Sequence, residues 1–307
     1  MKLAAVILNY NNASECIEAV KRIENYPVID AVIVVDNASS DDSRERIGSF
    51  IEMLNAKEKK YGQETSEDDN FHRFMLVNSE KNGGYGAGNN LGVRYAYEVL
   101  GAEYVIIANP DVSFSEECAL RMTEALAEDE EAAVVSAVMK DDSGGSQQTA
   151  WMMRGWLFEL LNSGPLSRRI FSPAINYSPE YFSGKEICEV GAVHGSLLCV
   201  DADKFMSCGG YDENIFLYCE ENVLGFKMRA AGYKTLLLCN ESYRHEGSTT
   251  IKQSFKGMTK RQRIRQRSER YYYRNYLKAG ALKMIFTRIF QGVVLFETCI
   301  AQMLGKI

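Results

Sequence analysis

Tyr104-Val105-Ile106-Ile107-Ala108-Asn109-Pro110-Asp111-Val112 is the stretch on which the fold turns. A short apolar run, rich in β-branched residues, stops at a single carboxylate. Such a run, without polar alternation, reads as a strand buried on both faces, the pattern of a parallel sheet. Pro110 has no N–H to give to a ladder, so it ends the strand. Asp111 then falls just past the strand's carboxyl end, where open α/β sheets bind their ligands.

The same pattern recurs toward the N-terminus. Leu3 to Leu8 reads as a first strand, and Ser14 to Ile23 as a helix with Ile17, Val20 and Ile23 on one face. Ile29 to Val35 is a second strand ending at Asp36, and Ser40 or Asp41 can cap the helix that runs on through Leu54. Residues 57–70 are polar and charged, hence a loop, and hold His72's neighbourhood without giving that histidine a role. Phe74 to Val77 is a third strand. Asn82-Gly83-Gly84-Tyr85-Gly86-Ala87-Gly88-Asn89-Asn90 is a glycine-rich turn into a helix through Leu100. The run ending at Asp111 is the fourth strand, and Ala133 to Val138 a further one. Alternating β and α elements imply a doubly wound parallel sheet. Right-handed crossovers put Asn9-Tyr10, Asp36-Asn37, the glycine turn and Asp111 on one edge. That is the architecture of a nucleotide site. No G-x-G-x-x-G follows the first strand and no G-x-x-x-x-G-K-[ST] occurs, which disfavours a dinucleotide fold and a P-loop.

The chain has 307 residues, enough for one large domain or two small ones. Hydrophobic content of 46% and charged content of 25% are those of a soluble globular protein. No run reaches the roughly 18 uncharged apolar residues of a membrane span. The N-terminal apolar run breaks at Asn9-Tyr10-Asn11-Asn12 and does not read as a signal peptide. The 8 cysteines are scattered with no C-x-x-C, so they read as reduced, mostly buried and cytosolic, against a zinc site.

The net charge of −6 hides an asymmetry, because residues 252–278 hold ten Lys and Arg against one acid, Glu269. Tyr271, Tyr272, Tyr273 and Tyr276 interleave with these arginines. Nucleic acid, anionic lipid or a diphosphate could meet such a patch, or it could be a solvated helix face. The following tail, Leu282 to Leu304, is apolar but carries Arg288 and Glu297. It suits an amphipathic helix on a membrane or in a homodimer. The membrane surface is the favoured partner and nucleic acid the disfavoured one, because nucleic acid would leave the tail's apolar face without use.

Four motifs in order, each at a strand end, resemble family 2 glycosyltransferases of the GT-A fold, and within them the bacterial rhamnosyltransferase-like branch. They are Ile7-Leu8-Asn9-Tyr10-Asn11, Val34-Val35-Asp36-Asn37-Ala38-Ser39-Ser40-Asp41, Asn82 to Asn89, and Asn109-Pro110-Asp111. The similarity covers roughly residues 1–250. It implies a Rossmann-like, mostly parallel sheet flanked by helices, with a nucleotide-binding half over 1–112, an acceptor half over 113–250, and a basic, amphipathic helical extension over 251–307. By the resemblance, Asn9, Tyr10 and Asp36 hold the base and ribose. A carboxylate is a good acceptor for the imide N–H of uracil or thymine, although Asp36 could instead cap the next helix. Lys81, Asn82, Gly83, Gly84, Gly88, Asn89 and Asn109 complete the nucleotide site, with Lys81 placed for a phosphate. Asp111 matches the last Asp of the family's D-x-D motif, whose first position here is Asn109. One carboxylate, completed by phosphate oxygens and water, suits Mg²⁺ or Mn²⁺.

Gly191-Ala192-Val193-His194-Gly195-Ser196 leads into a strand, Leu197 to Val200, and Gly209-Gly210-Tyr211-Asp212-Glu213 leads to Glu220-Glu221 and a helix through Ala231. By the resemblance, the second acid of that pair, Glu221, is the catalytic base, where the family usually has Asp. Glu220 is its neighbour, and Val223 stands where the family often has a further Asp. The two acids can raise one another's pKa, or merely favour a helix N-terminus. His245, after a last core strand Thr235 to Leu238, matches a histidine on the metal or the diphosphate. His194, Gly195, Tyr211 and Asp212 are acceptor-site candidates. Residues 164–187, with Pro165, Pro173 and Pro179, read as a long loop forming a lid or acceptor wall.

The expected protein is a cytoplasmic, inverting glycosyltransferase of surface-polysaccharide assembly, peripheral on the membrane. Its donor would be dTDP-rhamnose or a UDP-hexose, and its acceptor a saccharide or lipid-linked saccharide. A nucleotidyltransferase would want a basic G-x-G-[ST]-R-like loop after the first strand, and Asn9-Tyr10-Asn11-Asn12 is not that. The rival of another class is a non-catalytic protein that binds sugar nucleotides or nucleic acid.

Overall fold

The computed structural model describes residues 2–61, 72–246 and 257–303. Most of the polar stretch 57–70, Lys252 and Lys256 of the basic segment, and Leu304 fall outside them. Strands are β1 Leu3–Asn9, β2 Ala31–Asp36, β3 Phe74–Asn78, β4 Tyr104–Ala108, β5 Val112–Ser113, β6 Ala132–Lys140, β7 Ala150–Trp151, β8 Ile187–Val190, β9 Ala192–Val193, β10 Leu197–Asp201 and β11 Lys234–His245. The main sheet runs β3-β2-β1-β4-β10-β6-β11-β5, with β8 on β11, and β7 pairs β9 separately. Strands β3, β2, β1 and β4 are parallel. Strand β10 runs antiparallel between β4 and β6.

The unbroken apolar strands are buried on both faces because successive side chains go to opposite sides. Leu3, Ala5 and Ile7 join one core with the helices Ala13–Ile23, Ser43–Tyr61 and Glu116–Glu128. Ala4 and Val6 join the other, beneath Tyr85–Glu98, Ala202–Ser207 and Glu220–Ala230. Asp41 accepts from the Ser43 N–H at 3.0 Å, satisfying an otherwise unpaired donor of the first turn, as expected.

Register brings the candidate site residues to one edge. Asn9 pairs level with Asp36, and Asp36 with Asn78. Leu197 pairs with Ala108, so the antiparallel β10 brings the segment before it, His194 to Ser196, to the edge that Asn109 and Asp111 leave. The Asn109 N–H to Ser196 carbonyl bond, 2.8 Å, extends that ladder. His245 pairs with Val112 of β5, next to Asp111.

Residues 164–187 are not one long loop. They include helices Pro165–Ile175 and Pro179–Phe182 before β8. Pro165 and Pro179 each open a helix, where a missing N–H costs nothing. The chain ends in helices Met258–Asn275 and Ala281–Met303, packed on each other and on a third core that holds Leu160, Ile215, Val223, Tyr272 and Tyr273. Val223 is fully buried there, so an apolar residue at this position seats the C-terminal helices. The 8 cysteines are free, four buried and four half-buried.

Candidate active site

The edge carries two clusters. On the β1–β2 side, Asn9 is fully buried and its Nδ2 donates to Asp36 Oδ1 at 2.9 Å and to Ser39 Oγ at 3.1 Å. Asp36 also accepts from Ser39 N at 3.1 Å and Ser39 Oγ at 2.6 Å, bracing the loop after β2 rather than a helix start. Tyr10 is half-buried beside them and Lys81 is exposed. Asn37 Nδ2 donates to Asn82 Oδ1 and to the Gly84 carbonyl, both 3.1 Å, tying the glycine turn to β2. Gly84 has φ 92°, and a Cβ there would overlap the Phe216 carbonyl that accepts the Tyr85 N–H, so the position needs glycine. Gly83 lies in the turn. Gly88 is buried against Leu8, and Asn89 is buried with its Nδ2 on the Tyr85 carbonyl. The side-chain oxygens Asn9 Oδ1, Asn37 Oδ1 and Asn89 Oδ1 are buried without a hydrogen-bond partner. Buried acceptors of this kind call for a donor from water or a ligand.

The second cluster surrounds a cavity of about 420 Å³ lined by Asn109, His194, Gly195, Glu220, Glu221 and His245, among others. Glu221 Oε1 accepts the Gly195 N–H at 3.2 Å. A Cβ on Gly195 would sit 3.0 Å from that oxygen, so glycine admits the carboxylate. His194 Nδ1 accepts the Ser196 N–H at 3.1 Å, which leaves the neutral ring's proton on Nε2. Ser196 Oγ links His194 Nδ1, at 2.9 Å, to the Tyr243 hydroxyl, at 2.8 Å. Burial holds the His194 pKa below the usual imidazole range, against the opposing charge of Glu221. Next to the lining residue His245, Asp111 Oδ2 lies 3.3 Å from its Nε2. They are not aligned for a hydrogen bond, and Nε2 is buried without one. A carboxylate and an orphaned imidazole nitrogen at this separation fit two positions of a divalent cation's shell. Among the described residues no cluster of three or more such side chains forms, so the remaining positions would fall to ligand oxygens or water.

Glu220 and Glu221 differ sharply. Glu220 is buried, its Oε1 has no partner, and burial followed by the Glu221 charge pushes its pKa well above the carboxylate range. Below the unfolded pKa of about 4.3 both states hold the proton and the ionisation of Glu220 has no effect on stability. As pH rises, the unfolded chain ionises first, so stability falls until the folded group ionises too. Glu220→Gln is therefore expected to raise the melting temperature at pH 7 and leave it unchanged at pH 4. Equal shifts at both pH values would contradict a protonated Glu220.

Tyr211 and Asp212 do not reach this cavity. Tyr211 is buried, edge-on to Tyr85 and Phe205 with ring centroids 5.7 and 5.5 Å away. Asp212 Oδ2 accepts from Tyr271 at 3.0 Å and Tyr276 at 2.6 Å, fastening the turn to the first C-terminal helix. Burial raises its pKa, but bonds from Tyr276, Asn214 and Tyr271 outweigh this and hold it below the usual range.

The cavity also holds residues that sequence reasoning missed: Trp151, Glu159, Arg168, Tyr218 and Arg265. Burial pushes Glu159 up to about 7. Its signal was available, since it is the one acid in the apolar helix Trp156–Ser163. Tyr218 and Cys219 both take the left-handed backbone, φ 70° and 69°, immediately before the helix that opens on Glu220. Nothing in their residue types announced it.

Among solved structures, a GalNAc-T7 crystal structure with UDP, GalNAc and Mn²⁺ superposes with TM-score 0.59 at 12% identity, covering 80% of this chain and 44% of that one. A mannosyltransferase from Pyrobaculum calidifontis, in complex with GDP-Man and Mn²⁺, gives 0.58 at 14% identity, covering 96% and 70%. These likenesses establish the GT-A fold. By sequence, the low-salt glycan biosynthesis hexosyltransferase Agl10 of Haloferax volcanii is 25% identical over 229 residues, 74% of this chain and 61% of that protein. The N-acetylglucosaminyl-diphospho-decaprenol L-rhamnosyltransferase of Mycobacterium tuberculosis is 27% identical over 187 residues, 57% and 59%. The chain thus aligns with about three fifths of the length of these relatives. The pattern of glycosyl transferase family 2 matches residues 5–183, which takes in β1 to β7 and more than half of the sequence, and the chain belongs to that family.

Proposed function

We propose that the protein is an inverting glycosyltransferase. The observation that carries this reading is the convergence of Asn109, His194, Glu221 and His245 on one cavity, with Asp111 beside His245. The acceptor hydroxyl gives its proton to Glu221 as its oxygen bonds to the anomeric carbon. The bond from that carbon to the diphosphate oxygen breaks, and its electron pair leaves with the nucleoside diphosphate. Glu221 suits the base because its backbone partner, the Gly195 N–H, fixes its direction. Glu220 suits it less, because burial and the Glu221 charge raise its pKa and favour its protonated form. Asp111 and His245 would hold a Mg²⁺ or Mn²⁺ ion, which supplies positive charge to the departing diphosphate. Asn9, Tyr10, Asp36 and the loop 81–84 would hold the nucleotide, supported by the orphaned amide oxygens beside them.

The names of the two sequence relatives support transfer of a hexosyl or rhamnosyl group, and the rhamnosyltransferase's name supports a lipid-linked saccharide acceptor. The donor of this reading is dTDP-rhamnose or a UDP-hexose. A lipid-linked acceptor would suit a place in surface-polysaccharide assembly at the cytoplasmic face of a membrane. Release of nucleoside diphosphate from candidate donors, with saccharide acceptors present, tests the reading. Tight nucleotide binding without turnover on any of them would leave a sugar-nucleotide binding protein instead.

Membrane contact would come through the last helix. Ala281–Met303 is long and apolar enough to cross a membrane by length and composition. Thr287, Gln291, Val294 and Thr298 are buried, however, and Gln266 Nε2 donates to the Gln291 carbonyl at 2.7 Å, so one face is committed to the protein. The other face is exposed at Phe286, Ile289, Val293 and Phe296, spaced as one stripe. The full chain is expected to co-sediment with phosphatidylglycerol vesicles at low salt and less so as salt rises. Ile289→Ser with Phe296→Ser, at positions 64% and 65% exposed, should abolish this while sparing nucleotide binding. An unaltered chain that ignores such vesicles at low salt would favour a homodimer as the use of the stripe.

A further inference from the structure

A second hollow, about 550 Å³, lies between helices Pro165–Ile175, Met258–Asn275 and Ala281–Met303. Four arginines stand on its walls, Arg168, Arg169, Arg261 and Arg265, against one acid, Glu297. None of the four forms an ion pair among the described residues. Gln262, on the same wall, buries an Nε2 donor with no acceptor. Arg265 is held with its guanidinium 4.8 Å over the Tyr218 ring. Arg168, Tyr218 and Arg265 also line the cavity of Glu221, so the two spaces share a wall. The rims are apolar. Leu166 and Ile170, one turn apart, are 60% and 62% exposed on one side, and Val293 and Ile300 are 54% and 40% exposed a turn on either side of Glu297.

We propose that this groove binds the acceptor as a lipid diphosphate, with the diphosphate on the arginines, the apolar chain between the rims, and the saccharide turned through the shared wall toward Glu221. Guanidinium groups match phosphate oxygens in charge and in fork geometry. An orphaned amide donor adds a further partner, and the set offers almost no competing acceptor. A free anion would have no use for the apolar rims, and a plain hydrocarbon none for the arginines. The inference rests on reading the Glu221 cavity as the transfer site, since that sets which end of the amphiphile carries the saccharide.

Direct binding tests it without turnover. Calorimetry on the full chain would compare farnesyl diphosphate, inorganic pyrophosphate and farnesol, with UDP binding as the control. Farnesyl diphosphate should bind at least roughly tenfold more tightly than either fragment, and saturating UDP should not displace it. Arg169→Gln with Arg261→Gln should weaken farnesyl diphosphate roughly tenfold or more and leave UDP unchanged. Arg169→Gln alone, at an exposed position, should lose part of the same affinity, and Arg44→Gln, on a distant helix, none. Pyrophosphate binding as tightly as farnesyl diphosphate, displacement by UDP, or full affinity in the arginine variants would each overturn the proposal. None of these outcomes depends on whether Glu221 is the base, so failure here and failure of the transfer reading are separable.

Discussion

Glu221→Gln is expected to lower turnover by roughly a hundredfold or more and to leave donor affinity nearly unchanged. The substitution keeps an amide oxygen that can still accept the Gly195 N–H, now 3.2 Å from Oε1, so the side chain's direction is preserved. It removes only the capacity to take the acceptor's proton. Glu220→Gln is the matched control, since Glu220 is buried and burial with the Glu221 charge raises its pKa, and its change should spare turnover. Steady-state release of nucleoside diphosphate, with donor affinity from calorimetry, separates the cases. A dead Glu220→Gln beside an active Glu221→Gln would move the base by one residue. Full activity in both would remove the base from this helix altogether.

The parallel half of the sheet, β1 to β4, was legible because its signals are local. Each buried parallel strand is one apolar run, each run stops at a polar residue, and crossover handedness collects those stops on one edge. Asn9, Asp36, Asn109 and Asp111 could be placed without long-range information. His245 could be suspected only by family resemblance, because its approach to Asp111 depends on β11 running past a bulge to pair with β5. The stretch 164–187 differs from its reading as a loop because a proline marks a helix start as well as a loop, and Pro165 and Pro179 sit at helix starts. The basic segment read as one charged face. In the fold its helix divides, with Tyr272 and Tyr273 in a core, Arg261 and Arg265 in the groove, and Arg263 and Arg267 toward solvent. Helical period gives the angles between such residues, but not which neighbour occupies each side. Asp212 shows the same limit. Its partners Tyr271 and Tyr276 lie some 60 residues on, beyond any local pattern.

Asp111→Ala should abolish the gain in nucleotide affinity that Mn²⁺ provides. UDP or dTDP is expected to bind the unaltered chain more tightly with Mn²⁺ than without it, because a hard cation joins protein carboxylate to diphosphate oxygens. Asp111 is buried, and the orphaned His245 Nε2 lies 3.3 Å from its Oδ2. With Asn109 at the first position of the motif, only one carboxylate is offered there, so affinity for the metal alone should be weak and should rise when nucleotide is present. His245→Ala should lose part of the metal-dependent gain, and both variants should keep the metal-free affinity, which the Asn9–Asp36 side of the edge would supply. Calorimetric titration of nucleotide with Mn²⁺ and with excess chelator measures each term. Equal affinity under the two conditions in the unaltered chain would refute a metal-assisted site. A metal-dependent gain that survives Asp111→Ala would move the metal away from this pair.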